Sequence, residues 1–201
     1  MEKELEETIE AYKNMAEEYD DYHNSIEEIE GTLKRFLEEV DGKKILDVGC
    51  GPGRDAKFFA KKGKDVVGID PVKKFLEIAR EKVPQAEFRK MDMRYLKFGD
   101  ASFNGIWACA SLHHLPKQEA DKALEELHRV LKEGGTVHIS VKKGEKEKYI
   151  ERDHYSEGRR FFALYTEKEL REKVEKAGLN VLKEDTEKDR KEDWVRVLAK
   201  K

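Results

Sequence analysis

The chain has 201 residues, with 41 basic against 44 acidic side chains and a formal net charge of −3. That length suits one domain with a real core, and so balanced a charge makes no electrostatic case for a nucleic-acid or membrane partner. Two cysteines, Cys50 and Cys109, exclude a disulfide framework and have no zinc spacing. No apolar run approaches the roughly 20 residues of a membrane-spanning helix. The acidic start, MEKELEETIE, is unlike a signal or transit peptide. Together these features predict a cytoplasmic protein. The 42% charged fraction, mostly Lys and Glu, is the composition of thermostable proteins, natural or engineered.

Two amphipathic helices are predicted first. Leu5, Ile9, Tyr12, Ala16 and Tyr19 share a face over 3–19, and Ile26, Ile29, Leu33, Leu37 and Val40 share one over 25–40. From residue 44 strands and helices alternate. Strands are predicted at 44–48, 65–70, 86–90, 103–110, 136–142, 180–185 and 194–200. Helices are predicted at 54–63, 72–83, 117–135 and 166–178, the last opened by Thr166 and Glu169 in capping-box spacing. Apolar strands between helices imply a doubly wound, mostly parallel α/β sheet of seven strands, Rossmann-like, behind two N-terminal cap helices. The expected divisions are a cap (1–41), a cofactor-binding core (42–142), an irregular substrate-side loop (143–165) and a C-terminal helix and hairpin (166–201).

Between the first strand and its helix runs ILDVGCGPGRDA. Three glycines in five residues let a ligand approach the backbone closely. A dinucleotide loop wants a small residue where Arg54 stands, and Pro52 removes an N–H that a pyrophosphate would use. Asp47 precedes the loop, Asp70 ends the second strand and Asp92 follows the third. With strands ordered 3-2-1, all three border one crevice. These positions suit an ammonium group, the two hydroxyls of a ribose and an adenine amine. A nucleoside with an ammonium and no phosphate is S-adenosylmethionine. Read singly, Asp70-Pro71 also fits a helix N-cap and Asp92 a turn.

With ILDVGCGPG, VVGID, FRKMDM and FNGIWACASLHHLP in that order, the chain resembles class I S-adenosylmethionine-dependent methyltransferases over roughly residues 40–200. The resemblance implies that Gly49, Cys50, Gly51 and Gly53 admit the methionine part and the sugar of the cofactor. It implies Asp47 for the amino group, Asp70 and Pro71 for the ribose, and Asp92 with the Met93 N–H for adenine. Met91, Val72 and Leu112 would wall the adenine, and the Cys109 or Ala108 carbonyl would face the methionine amine. Tyr19 on the cap would touch the methionine carboxylate.

The acceptor is harder to read, because displacement at a sulfonium needs no metal and no covalent intermediate. His113, His114 and His154 are candidates to position the acceptor or take its proton. His113 and His114 also fit a packing and capping role. Tyr12 and Tyr155 are candidate acceptor contacts. Arg159 and Arg160 suit an anionic acceptor, although arginines on so charged a surface also fit simple ion pairs. A small-molecule acceptor is expected, released beside S-adenosylhomocysteine by a monomer or homodimer. RNA or protein methylation, or cofactor binding without catalysis, are the alternatives.

Overall fold

A computed structural model describes residues 2–151, 158–189 and 192–201. The seven-stranded sheet runs β3-β2-β1-β4-β5-β9-β8. Its strands are β1 (Lys44–Val48), β2 (Asp65–Asp70), β3 (Glu87–Lys90), β4 (Phe103–Cys109), β5 (Leu131–Lys142), β8 (Asn180–Asp189) and β9 (Glu192–Lys200). The first five are parallel, while β9 pairs antiparallel with both β5 and β8. Strand order therefore reverses between β1 and β4, which opens a crevice beyond their carboxyl ends. The predicted doubly wound sheet is present, with its 3-2-1 half.

The apolar runs are explained by burial on both faces. Leu46, Val48, Val67, Ile69, Ile106 and Ala108 belong to one core cluster. Their neighbours Ile45, Val66 and Trp107 belong to a second cluster, with Leu33, Phe36 and Phe59. Alternate residues of each strand point to opposite layers, so both sets must be apolar. Trp107 is fully buried, and its indole N–H donates to Asp55 Oδ2 at 2.8 Å.

Helices α4 (Arg54–Lys61), α5 (Lys73–Lys82), α6 (Lys117–Val130) and α7 (Glu167–Lys176) flank the sheet. Thr166 caps α7, accepting from the Glu169 N–H at 3.2 Å as the capping-box spacing predicts. α6 ends at Val130, short of the glycine pair expected to stop it, because the chain is already extended at Leu131 and pairs with Phe103.

The ends of the chain's regular pattern depart from expectation. The first predicted helix is two, α1 (Glu2–Asn14) and α2 (Ala16–Tyr22), broken at the buried Met15. The break lets Tyr12 and Tyr19 both meet Phe75, at 5.7 and 5.2 Å between ring centroids. The second predicted helix starts only at Glu30, as α3 (Glu30–Glu39). Ser25 Oγ accepts from the Glu27 N–H at 3.3 Å, a local turn that competes with helix. The segment 143–165 is not irregular throughout. Its β6 (Glu147–Ile150) pairs antiparallel with β7 (Arg160–Ala163), forming a separate two-stranded sheet. Among the described residues no helix is long and apolar enough to cross a membrane.

Gly53 has φ +87°, and a Cβ there would lie 3.1 Å from Ala79 Cβ and 3.2 Å from its Cα. The third glycine of the loop therefore packs α4 against α5. Gly53→Val is expected to lower the free energy of unfolding by about 2–4 kcal/mol, from left-handed strain plus overpacking. Urea denaturation measures it, and an unchanged midpoint would show that this contact does not limit the packing.

Candidate cofactor and acceptor site

The glycine loop is stitched to the end of β2. Gly49 and Cys50 donate their N–H groups to the Ile69 carbonyl at 2.8 and 3.0 Å. Gly51 N–H donates to Asp70 Oδ2 at 3.0 Å, and Val72 N–H to Oδ1 at 2.8 Å. Burial pushes the Asp70 carboxyl up to about 6, against the two N–H groups that favour its charge. A Cβ on Gly49 would fall 2.4 Å from Ser111 Cβ, whereas one on Gly51 would enter open space. Gly51 thus leaves room beside a carboxylate already presented by two backbone donors.

That space belongs to a cavity of about 80 Å³. Asp70, Pro71, Val72, Met91, Asp92 and Met93 line it, with Phe75 and Leu115. Of the expected adenine walls, Leu112 is instead fully buried in the core. Tyr12 and Tyr19 of the N-terminal helices roof the cavity, alongside Ile9. A second cavity of about 350 Å³ shares Gly49, Gly51, Ala110, Tyr12 and Tyr19 with the first. Cys50, Arg54, Cys109, His113, Lys142 and Arg160 are on its walls. The two spaces therefore meet at the glycine loop.

Several expected residues are placed differently. Asp47 is buried and lines neither cavity, and its Oδ2 has no hydrogen-bond partner. Burial raises its carboxyl well above the ordinary range, helped by the charge of Asp55 and opposed by Arg54. Asp92 does line the first cavity, but Arg94 holds it. The Arg94 Nη2 donates to Oδ2 at 2.6 Å and the Arg94 backbone N–H to Oδ1 at 2.9 Å. Arg94 also bridges to Glu119 at 3.1 Å. Gly53 faces α5 rather than a ligand, and Ala108 is in the core while Cys109 reaches the second cavity. Burial drives the Cys109 thiol up to about 11, so it is neutral at ordinary pH.

His113 is occupied by structure. Its Nδ1 accepts from the Lys142 N–H at 3.2 Å, and burial lowers its pKa well below the usual range. Nearby, Ala110, whose φ of +55° is unusual for a residue with a Cβ, is held beside β5 by its N–H donating to the Ser140 carbonyl at 3.0 Å. His114 is different. Its Nδ1 lies 2.9 Å from the Phe161 carbonyl, which can only accept, so Nδ1 carries the hydrogen. Nε2 then accepts from the Tyr12 O–H at 3.0 Å, and the Tyr12 oxygen accepts from Arg160 Nη1 at 3.4 Å. Burial keeps this imidazole neutral, with its pKa down to about 3.

Arg160 is buried on the second cavity, as an acceptor role requires, but its neighbour is not there. Arg159 points outward, 3.5 Å from Glu7 and stacked 3.7 Å over the Tyr149 ring. His154 and Tyr155 lie outside the described residues. Sequence reasoning missed Thr8, whose Oγ accepts from the Phe161 N–H at 3.0 Å and ties α1 to β7. It also missed Arg94, Lys142 and Trp194; the run of aromatics before and after 160 was the only signal for that wall.

A glycine loop and a β2 carboxylate meet where the strand order of the doubly wound sheet reverses. Residues 45–135 match the family profile described as a methyltransferase domain. The chain is 36% identical over 121 residues to the methyltransferase GfsG of Streptomyces halstedii, covering 55% of this chain and 43% of that protein. The chain spans about half the length of the curated relatives it matches, between 40 and 65% of each. A methyltransferase structure from Methanosarcina mazei superposes with TM-score 0.75 at 22% identity, covering 85% of this chain and 96% of that one. So does a Burkholderia thailandensis 1,6-didemethyltoxoflavin-N1-methyltransferase holding S-adenosylhomocysteine, with TM-score 0.75, 21% identity, and coverage of 92% and 83%. Residues 45–135 thus resemble a methyltransferase domain, and the chain as a whole shares its fold with S-adenosylmethionine-dependent methyltransferases.

An ionised Asp70 would accept hydrogen bonds from a ligand's hydroxyls more strongly than its neutral form. Since its carboxyl titrates near 6 in the free protein, affinity for S-adenosylhomocysteine is expected to rise with pH up to that value and level off above it. Below it the loss is at most about tenfold per pH unit, as one proton on one carboxylate allows. Calorimetry across this range reads the effect. Asp70→Asn should bind more weakly with a flatter profile, and a flat profile for the unmodified chain would remove Asp70 from the role.

Proposed function

We propose that this chain transfers a methyl group from S-adenosylmethionine to a small-molecule acceptor held in the second cavity. The observation that carries the reading is the junction of the two cavities at Gly49, Gly51 and Ala110, under the tyrosine roof. The residues of the first cavity suit a nucleoside: a raised carboxylate for the ribose, the apolar Val72, Phe75, Met91 and Met93 for a base, and open space at Gly51. Asp92 keeps an accepting edge for an amine only in competition with Arg94. At about 80 Å³ the first cavity is about half the size that takes a benzene ring, so the roof of α1 and α2 has to lift for entry.

When bound, S-adenosylmethionine supplies a methyl group already activated on a sulfonium. The task left to the chain is to position the acceptor and to exclude water. A protic acceptor also has to lose a proton, and Tyr12 can relay it to His114 Nε2, a base that burial weakens so that it suits only a strongly acidic proton such as that of a methylated hydroxyl. A proton arriving on the Tyr12 oxygen is matched by the Tyr12 proton passing to His114 Nε2, while the Phe161 carbonyl holds Nδ1–H. The balanced surface charge supports a small acceptor over RNA.

Labelled methyl transfer into pooled metabolites, bulk RNA and protein tests the reading, with S-adenosylhomocysteine binding measured alongside. Transfer to metabolites is expected. Binding without any transfer would instead favour a noncatalytic role. Once an acceptor is in hand, Tyr12→Phe and His114→Gln should each lower kcat about 10²-fold at saturating cofactor. Full kcat in both variants would discard the proton path.

A further inference from the structure

The two cavities are walled by different chemistry. Leu5, Ile9, Ile69, Val72 and Leu115 give the first an aliphatic lining. Among the described lining of the second, Ile29 is the one branched aliphatic side chain, and the other large apolar side chains are rings. These rings come in two groups. Tyr19 and Tyr22 of α2 meet the ring of His23, at 4.5 and 5.0 Å between centroids. Phe162 of β7 and Trp194 of β9 meet the ring of His113, at 5.1 and 5.8 Å. The first group belongs to the N-terminal roof, the second to β7, β9 and the turn after β4, and all six rings border the same space. Trp194 is only half-buried, and Tyr22 is 40% exposed. Among the described residues the exposed large apolar side chains are Tyr22, Tyr95 and Leu182, and of these Tyr22 alone borders either cavity. Folding therefore leaves an aromatic ring uncovered at the edge of the second space.

We propose that the acceptor is a planar aromatic compound whose ring packs against Tyr22, Phe162 and Trp194. This deepens the methyl-transfer reading of the same cavity and rests on it. An aromatic side chain has a negative face and a positive edge, so a second flat ring gains offset or edge-on contact beyond the burial of its area. A puckered saturated ring gains the burial alone. Tyrosine and tryptophan also present large contact area on two side-chain torsions, so little freedom is lost when a ligand docks on them. At about 350 Å³ the cavity is about twice the size that takes a benzene ring, which bounds the acceptor at two fused rings.

The test is calorimetry on the full chain saturated with S-adenosylhomocysteine. The probes are two pairs, each sharing a hydroxymethyl group and a carbon skeleton: benzyl alcohol with cyclohexylmethanol, and 2-naphthalenemethanol with 2-decalinmethanol. The saturated member of each pair is at least as apolar, so a pocket that selects by burial alone shows no preference for the flat one. In at least one pair the aromatic member should bind about fivefold or more tightly than its saturated partner. Tyr22→Leu and Trp194→Leu keep apolar bulk and remove the ring. Each should lower that ratio while leaving the affinities for the saturated probe and for S-adenosylhomocysteine unchanged. Tyr22→Leu, at an exposed position, keeps the test open if the Trp194 variant fails to fold. No aromatic preference in either pair, no binding of any probe, or a ratio unchanged in every variant that folds overturns the proposal. So does a tenfold loss of S-adenosylhomocysteine affinity in the folded variants, which assigns these rings to the cofactor instead. Failure of the unmodified chain to bind S-adenosylhomocysteine would refute the methyl-transfer reading, and the preference for flat rings would still be read on the chain alone.

Discussion

The site depends on one buried carboxylate. Asp70 accepts from the N–H of Gly51 and of Val72, and so joins the glycine loop after β1 to the start of α5 after β2. A carboxylate out of water is unfavourable unless hydrogen bonded, and two fixed backbone donors supply much of what is lost. The loop can meet Asp70 only because Gly49 and Gly51 hold φ of +71° and +51°. Shape and charge are therefore set by the same bonds: the turn that opens space for a ligand also aims the group that receives it.

Around this fixed floor the N-terminal helices form a roof held by polar contacts. Thr8 receives the Phe161 N–H, while Tyr12 joins His114 and Arg160. Each bond ties α1 to β7 or to the single 3-10 turn Leu112–His114 that follows β4. The roof touches both cavities through Tyr12 and Tyr19. Buried polar links of this kind fix orientation more than they add stability.

Much of the cofactor half was readable along the chain. Apolar strands of 44–48 and 65–70 and the glycine run name the crevice, because a parallel strand buried on both faces leaves a continuous apolar signature. Asp70 is legible for the same reason, lying at the end of such a strand. Asp92 and Asp47 were legible as residues but not as roles. Nothing local says that Arg94, two residues on, folds back onto Asp92, or that Asp47 lines neither cavity. The pairing of β6 with β7 was hidden because each strand has only four residues and nine residues separate them.

Sequence alone determined the doubly wound, mostly parallel sheet and the glycine turn after its first strand; the strand order was only assumed. Those follow from short-range patterns: periodic burial, helix caps, and glycines where the backbone must turn left-handed. Only the tertiary structure decided what each of two adjacent residues meets, with His113 on the second cavity and His114 on the first. His114 rather than His113 meets Tyr12, and Arg160 rather than Arg159 enters the cavity. Neighbours along a strand or tight turn point in opposite directions, and which direction is inward is set by contacts with α1 and β7, distant in sequence.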